Sequence, residues 1–324
     1  MMTIQTVRGP IDKTQFGFCH SHEHLFLAEG HPSTLNPALH MDEYDKTLAE
    51  LRMLHDCGGR AVVDAQPLGS GRMEEWLLKV SSESDVHVVA STGFHKLSFY
   101  REDHWIHRFD EERLEQIFVH ELTQGMYTGT DKGEPSAHIG AKAGIIKTAM
   151  DEDRMNDPDK RWFNAAAAAA RRTGAPIMCH IESYEQADEL VDMYMSRGIL
   201  AEQIIICHLE RSLDKPQNHR KLAELGIYLE YDTIGRFKYH SDEGEAELIR
   251  QMMDWGLGNQ LLLGLDTTRQ RMKHYGGSIG LDYLSQQFLP LLKQYGVTAE
   301  QIDRMMIHNP AEAFSFKPPF SSRV

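Results

Sequence analysis

Apolar and polar positions along the chain alternate between two periods. Short runs rich in Val, Ile and Leu occupy residues 16–20, 61–65, 86–91, 144–148, 176–180, 204–208, 227–231 and 261–266. Each is too short for a stable helix and reads as a strand. Between them lie stretches with apolar residues three or four apart, at 41–57, 73–84, 111–125, 160–173, 184–197, 217–225, 244–255 and 281–295. The run Ala165–Ala170 marks one as a helix core, and Gly174, Gly198 and Gly226 stand where helix C-caps belong. Eight strand-then-helix units predict an α/β fold, a closed parallel (β/α)8 or TIM barrel. Residues 1–324 read as a single domain, with an N-terminal extension before the first strand. The long interval 92–143, between the third and fourth strands, predicts an extra loop over the barrel mouth. An open doubly wound sheet would show a glycine-rich turn after the first strand; here that strand runs into His20-Ser21-His22-Glu23-His24.

In barrel enzymes catalytic groups sit at the C-terminal ends of the strands. Those ends carry His22 and His24, Lys147, His180, His208 and Asp266, each after an apolar run. A charged or imidazole group closing a buried strand is costly unless it has a partner. One such residue is unremarkable, but five strands ending this way in barrel order point to a site. Alternation puts His22 and His24 on the interior side, with Glu23 facing away; it also places His20 inward, in a layer below. Imidazole suits Zn, Ni, Fe and Co. Four histidines and an aspartate exceed what one tetrahedral zinc uses while keeping a water site, so two divalent ions are expected. A bridging ligand is then needed, and Lys147 is the candidate, since an amine that adds carbon dioxide becomes an anionic two-oxygen donor.

Composition narrows the partners. The chain has 324 residues, 41% hydrophobic and 25% charged, which excludes a disordered chain. With 34 basic against 48 acidic residues the net charge is −14, which argues against nucleic acid and anionic membrane surfaces. Four cysteines form no disulfide framework, and Cys19, Cys179 and Cys207 fall in buried runs as small hydrophobes. The start of the sequence has no signal-peptide pattern, so a cytoplasmic location is expected, and a homodimer is the commonest symmetric state. Of 18 histidines, those outside the strand ends, among them His31, His120, His219 and His274, read as solvated loop or helix residues.

These pieces together resemble the phosphotriesterase family of the amidohydrolase superfamily. The resemblance rests on Gly17-Phe18 through His22-Glu23-His24-Leu25, Gly144-Ile145-Ile146-Lys147, Gly174 to His180, Cys207-His208, Gly264-Leu265-Asp266 and Asn309-Pro310-Ala311. It implies a metal-dependent hydrolase acting on esters with a binuclear centre. By position His22, His24 and Asp266 would hold the more buried ion and His180 and His208 the exposed one, with carboxylated Lys147 and a hydroxide between. Zinc is the foremost ion; manganese, cobalt and iron also suit the donors. Asp266 would serve as general base and then acid.

The ligands do not separate the family's lactonases from its organophosphate triesterases. The loops carry that information. After the third strand come His95, Lys96 and Tyr100; after the seventh, Arg236 and Lys238; after the eighth, Arg269, Arg271 and Lys273. In an acidic chain this gathering of cations predicts an anionic ester, foremost a sugar-phosphate lactone, with His95, Lys96, Tyr100, Arg236, Arg269 and Lys273 as substrate contacts. A phosphotriesterase or phosphodiesterase is the second reading. An acyl-homoserine lactone lactonase is the third, given Phe94, Phe99, Trp105 and Phe237. A deaminase would lack Lys147, and a metal sensor has no use for Asp266.

Overall fold

Strand-forming runs and glycine-capped helices close on one another as the alternating pattern predicts. The structure, a computed structural model, describes residues 2–151, 155–156 and 158–319. An antiparallel hairpin, β1 (Thr3–Thr6) and β2 (Gly9–Asp12), precedes the barrel. The barrel strands are β3 (Cys19–Glu23), β4 (Ala61–Asp64), β5 (His87–Gly93), β6 (Ile145–Ala149), β7 (Ile177–His180), β8 (Ile204–Cys207), β9 (Tyr228–Tyr231) and β10 (Leu261–Leu263). Each lies parallel to the next, in sequence order. Closure comes from Leu265 N and Asp266 N, which donate to His22 O at 3.3 and 3.0 Å. Eight parallel strands with helices between them make a (β/α)8 barrel.

Alternate strand residues fill two layers. Cys19, Ala61, Val63, Val89, Ile145, Met178, Ile205, Cys207, Tyr228 and Leu262 pack inside the barrel, over Ile4, Phe16 and Phe314. Their neighbours, such as Ile146, Ile206, Leu229 and Leu263, pack outward against the helices. The hairpin is held to the barrel floor, with Val7 N donating to Val88 O at 2.9 Å. Among the described residues no helix is long and apolar enough to cross a membrane.

Three local details differ from simple alternation. The register between β3 and β4 shifts between His20 and Glu23. This bulge changes the phase: Cys19 faces the interior, whereas His20 pairs with Glu23 (Nδ1 to Oε1, 2.9 Å). The inward placement of His20 is therefore corrected. The third barrel strand also runs to Gly93, whose φ of +92° suits glycine, and a Cβ there would collide with Lys147 O. His219, expected in solvent, is 1% exposed, and its Nδ1 is 2.8 Å from the Tyr231 hydroxyl.

The interval after β5 contains the helix Glu111–Thr123 flanked by irregular chain. It is tied down by a buried ion pair. Arg72 Nη1 and Nη2 donate to the two carboxylate oxygens of Glu121 at 2.9 and 2.7 Å, and also to Ser91 O and Tyr127 O. Arg72→Met would strand a buried carboxylate, and urea unfolding should show a loss of about 3 kcal/mol. The double variant with Glu121→Leu should recover part of it. An unchanged single variant would show that the pair does not hold this segment.

Candidate active site

Side chains from five barrel strands or strand ends meet at one mouth. His22 comes from β3 and His24 from just beyond it. Lys147 points inward from β6, between outward-facing Ile146 and Thr148, and His180 closes β7. Regular alternation would turn His208 outward, because Cys207 before it faces inward. A left-handed backbone at His208 (φ +64°) returns its ring to the mouth, where it meets His180 and His22. Asp266 is also left-handed (φ +46°). Two non-glycine residues in this strained region, both at strand ends, are what functional sites favour.

The distances define two groups of donors. Asp266 Oδ1 is 3.3 Å from His24 Nε2 and 3.8 Å from His22 Nε2. His208 Nε2 is 2.8 Å from His180 Nδ1. Lys147 Nζ stands between the groups, 3.5 Å from His22 Nε2 and 3.8 Å from Cys207 Sγ. Lys147 is 1% exposed, and among the described residues no carboxylate pairs with it.

Burial makes the imidazoles neutral, the form that binds metals. It holds His22 and His208 well below the usual histidine range and His180 at about 3, with Lys147 adding to the effect. Asp266 goes the other way. Burial alone would raise it, but Arg236, His24 and His22 hold its carboxyl well below the usual range. Arg236 Nη2 sits 2.9 Å from Asp266 Oδ2, and Arg211 Nη2 3.9 Å from the same oxygen.

A carboxylate layer lies behind the histidines. On β9 and at the residue just past it, outward Leu229 and Tyr231 alternate with inward Glu230 and Asp232. Glu230 Oε2 is 2.8 Å from His22 Nδ1, and Asp232 Oδ1 is 2.6 Å from His208 Nδ1. Glu182 Oε1 is 2.9 Å from His180 Nε2, and Glu182 also pairs with Lys96 and Arg211. Burial pushes Glu230 up to about 8 and Asp232 well above its ordinary value, the latter also through Glu210 and Glu230. Several acceptors here, Glu230 Oε1, Asp232 Oδ2 and Glu210 Oε2, have no hydrogen-bond donor. A buried excess of unpaired carboxylate oxygens beside neutral imidazoles fits divalent cations. His22, His24 and Asp266 form one set whose donor atoms lie within 4.8 Å of one another; His22, Cys207, His208 and Asp232 form a second.

The sequence matches the model of the phosphotriesterase family over residues 2–314. The chain belongs to the phosphotriesterase family. It is 31% identical over 306 residues to a phosphotriesterase homology protein of Escherichia coli (strain K12), covering 94% of this chain and 99% of that protein. It is 30% identical over 326 residues to a phospho-furanose lactonase of Mycoplasmopsis synoviae (strain 53), covering 96% and 91%. The crystal structure of an amidohydrolase from Mycoplasma synoviae superposes with a TM-score of 0.92 at 28% identity, covering 98% of this chain and 92% of that one. Phosphotriesterase-family proteins are binuclear metal enzymes; this chain is a hydrolase acting on esters, and it brings His and Asp side chains together in clusters that could hold a metal ion.

The loop residues singled out as substrate contacts divide. His95 reaches the mouth, its ring 5.7 Å from that of His180 and stacked on Phe99 at 4.3 Å. Lys96 is paired with Glu182, and Arg236 with Asp266. Tyr100 supports from beneath: its hydroxyl accepts from His95 N at 2.9 Å and donates to Leu68 O at 3.2 Å. Arg269 is instead tied to Glu43 (2.7 Å) and His40 O (3.2 Å), and Lys273 to Asp282 (2.6 Å), so neither is brought to the histidines. A cavity of about 280 Å³ opens beside Arg236, lined also by Asn36, Ala38, Phe237, Lys238, Thr268, Gln270 and Arg271. Three cations and no carboxylate face it.

Sequence reasoning missed Glu182, Arg211, Glu230 and Asp232. Glu230 and Asp232 had a readable signal, two acids at spacing two in an apolar strand. Glu182 and Arg211 lie just past strand ends, where spacing carries no direction.

Proposed function

We propose that the chain is a metal-dependent lactonase that opens small anionic lactones, foremost sugar-phosphate lactones. The observation that carries this reading is the cation-lined, carboxylate-free cavity adjoining Asp266 through Arg236. The Mycoplasmopsis synoviae relative named phospho-furanose lactonase supports it.

His22, His24 and Asp266 would hold one divalent ion, zinc foremost, and His180 and His208 the other. Lys147, carboxylated at Nζ, would bridge them and answer its lack of a carboxylate partner. When bound, two such ions supply an activated water and polarise the ester oxygen. Asp266 takes the proton of the attacking water and returns it to the ring oxygen as the carbon–oxygen bond opens. Arg236, 2.9 Å from Oδ2, keeps that carboxylate ionised and fixes its plane. Arg236, Lys238 and Arg271 would receive the phosphoryl group.

Turnover of phosphorylated lactones against paraoxon-like triesters, at matched metal loading, tests the reading. Faster triester hydrolysis would overturn it, since a neutral triester gives those cations no partner. Lys238→Ala should raise KM for a phosphorylated lactone roughly tenfold, about 1.4 kcal/mol, and leave a neutral lactone unaffected. Equal effects on both would remove Lys238 from the phosphate site.

A further inference from the structure

Asp232 touches one histidine from each of the two donor groups. Its Oδ1 is 2.6 Å from His208 Nδ1, and its Oδ2 is 3.0 Å from His22 Nδ1. It is fully buried, and so is Glu230, whose Oε2 shares His22 Nδ1 at 2.8 Å and accepts from Cys207 Sγ at 3.1 Å. Glu230 thus contacts only one of the two histidines, while Asp232 contacts both.

The orientation matters because an imidazole that donates from Nδ1 must present the Nε2 lone pair. His22 Nε2 faces Lys147 and Asp266, and His208 Nε2 faces His180 Nδ1. The β9 carboxylates therefore set the tautomer and tilt of one ligand from each proposed ion. A carboxylate behind a metal-bound histidine is common. What distinguishes this site is that one side chain serves both. The backbone holds Asp232 in place, for its amide and that of Thr233 donate to Glu210 Oε1 at 2.8 and 2.7 Å.

We infer that Asp232 is a positioning residue that couples the two metal sites, so that filling one prepares the other. The inference rests on the binuclear reading above. Loading the first ion fixes one ring, which fixes the Asp232 carboxylate plane, which orients the second ring before its ion arrives. An asparagine that keeps its oxygen on His208 Nδ1 turns a donating amide toward His22 Nδ1–H, 3.0 Å away, where the carboxylate presents an oxygen. One ring must then turn or change tautomer.

The test is calorimetric titration of the chelator-stripped full chain with Zn²⁺ in the presence of bicarbonate. Wild type should take up two ions in one joint transition. Asp232→Asn should separate this into two steps, with the weaker ion bound roughly 10–100-fold less tightly. Glu230→Gln should weaken one ion and leave the transition joint. Two ions bound jointly and unchanged by Asp232→Asn would overturn the inference. So would two ions bound independently by wild type, an outcome that decides the matter even where the variant does not fold. Fewer than two ions in wild type would instead sink the binuclear reading, and the coupling with it.

Discussion

Asp266→Asn is expected to lower kcat by roughly 10³–10⁴-fold, a barrier increase of about 4–5.5 kcal/mol. The amide keeps the size of the side chain and can still face His24 through one oxygen. It cannot take up a proton. The wild-type carboxyl is held ionised against its burial by Arg236 on one oxygen and by His24 and His22 on the other. Without that charge, Arg236 also loses its counter-ion. The circular dichroism spectrum should match wild type, because the closure through His22 O uses the backbone amides of Leu265 and Asp266 and not the Asp266 side chain. A variant with near-full turnover of any lactone it accepts would show that the base lies elsewhere.

Lys147→Met is expected to reduce zinc content from two ions per chain to one or fewer and turnover on the order of 10³-fold. Methionine matches the apolar stem and packs in the same interior place, so the barrel should survive. The bridging donor is lost. Elemental analysis after loading with and without bicarbonate checks this: wild type should need bicarbonate for its second ion, and the variant should be indifferent to it. Two ions per chain in the variant would rule out Lys147 as the bridge.

Much of the fold was legible in the sequence because a barrel repeats one local rule eight times. Apolar runs alternating with amphipathic helices mark every barrel strand, and errors at one boundary leave the others untouched. The same rule placed Lys147 and His180 inward, and would have placed Glu230 and Asp232. It failed at His20, where a bulge changed the phase of β3, and at His208, where alternation alone points outward. Both exceptions depend on pairing with a neighbouring strand or on a strained backbone angle, and neither leaves a mark on residue spacing.

The loops were the least legible part. His95, Lys96, Arg236, Arg269 and Lys273 look alike in sequence, as cations or imidazoles just past strand ends. The structure sends Arg269 to Glu43 and Lys273 to Asp282, while Arg236 meets Asp266 and Lys238 and Arg271 join it around a cavity. By itself the sequence determined the barrel and the strand ends that bear histidine, lysine and aspartate, because periodicity and burial are local properties of the chain. Only the tertiary structure decided which cations line the cavity beside Asp266 and which carboxylates stand behind the histidines. A charge is spent or available according to the partner within a few ångströms, and those partners come from strands and loops far apart in sequence.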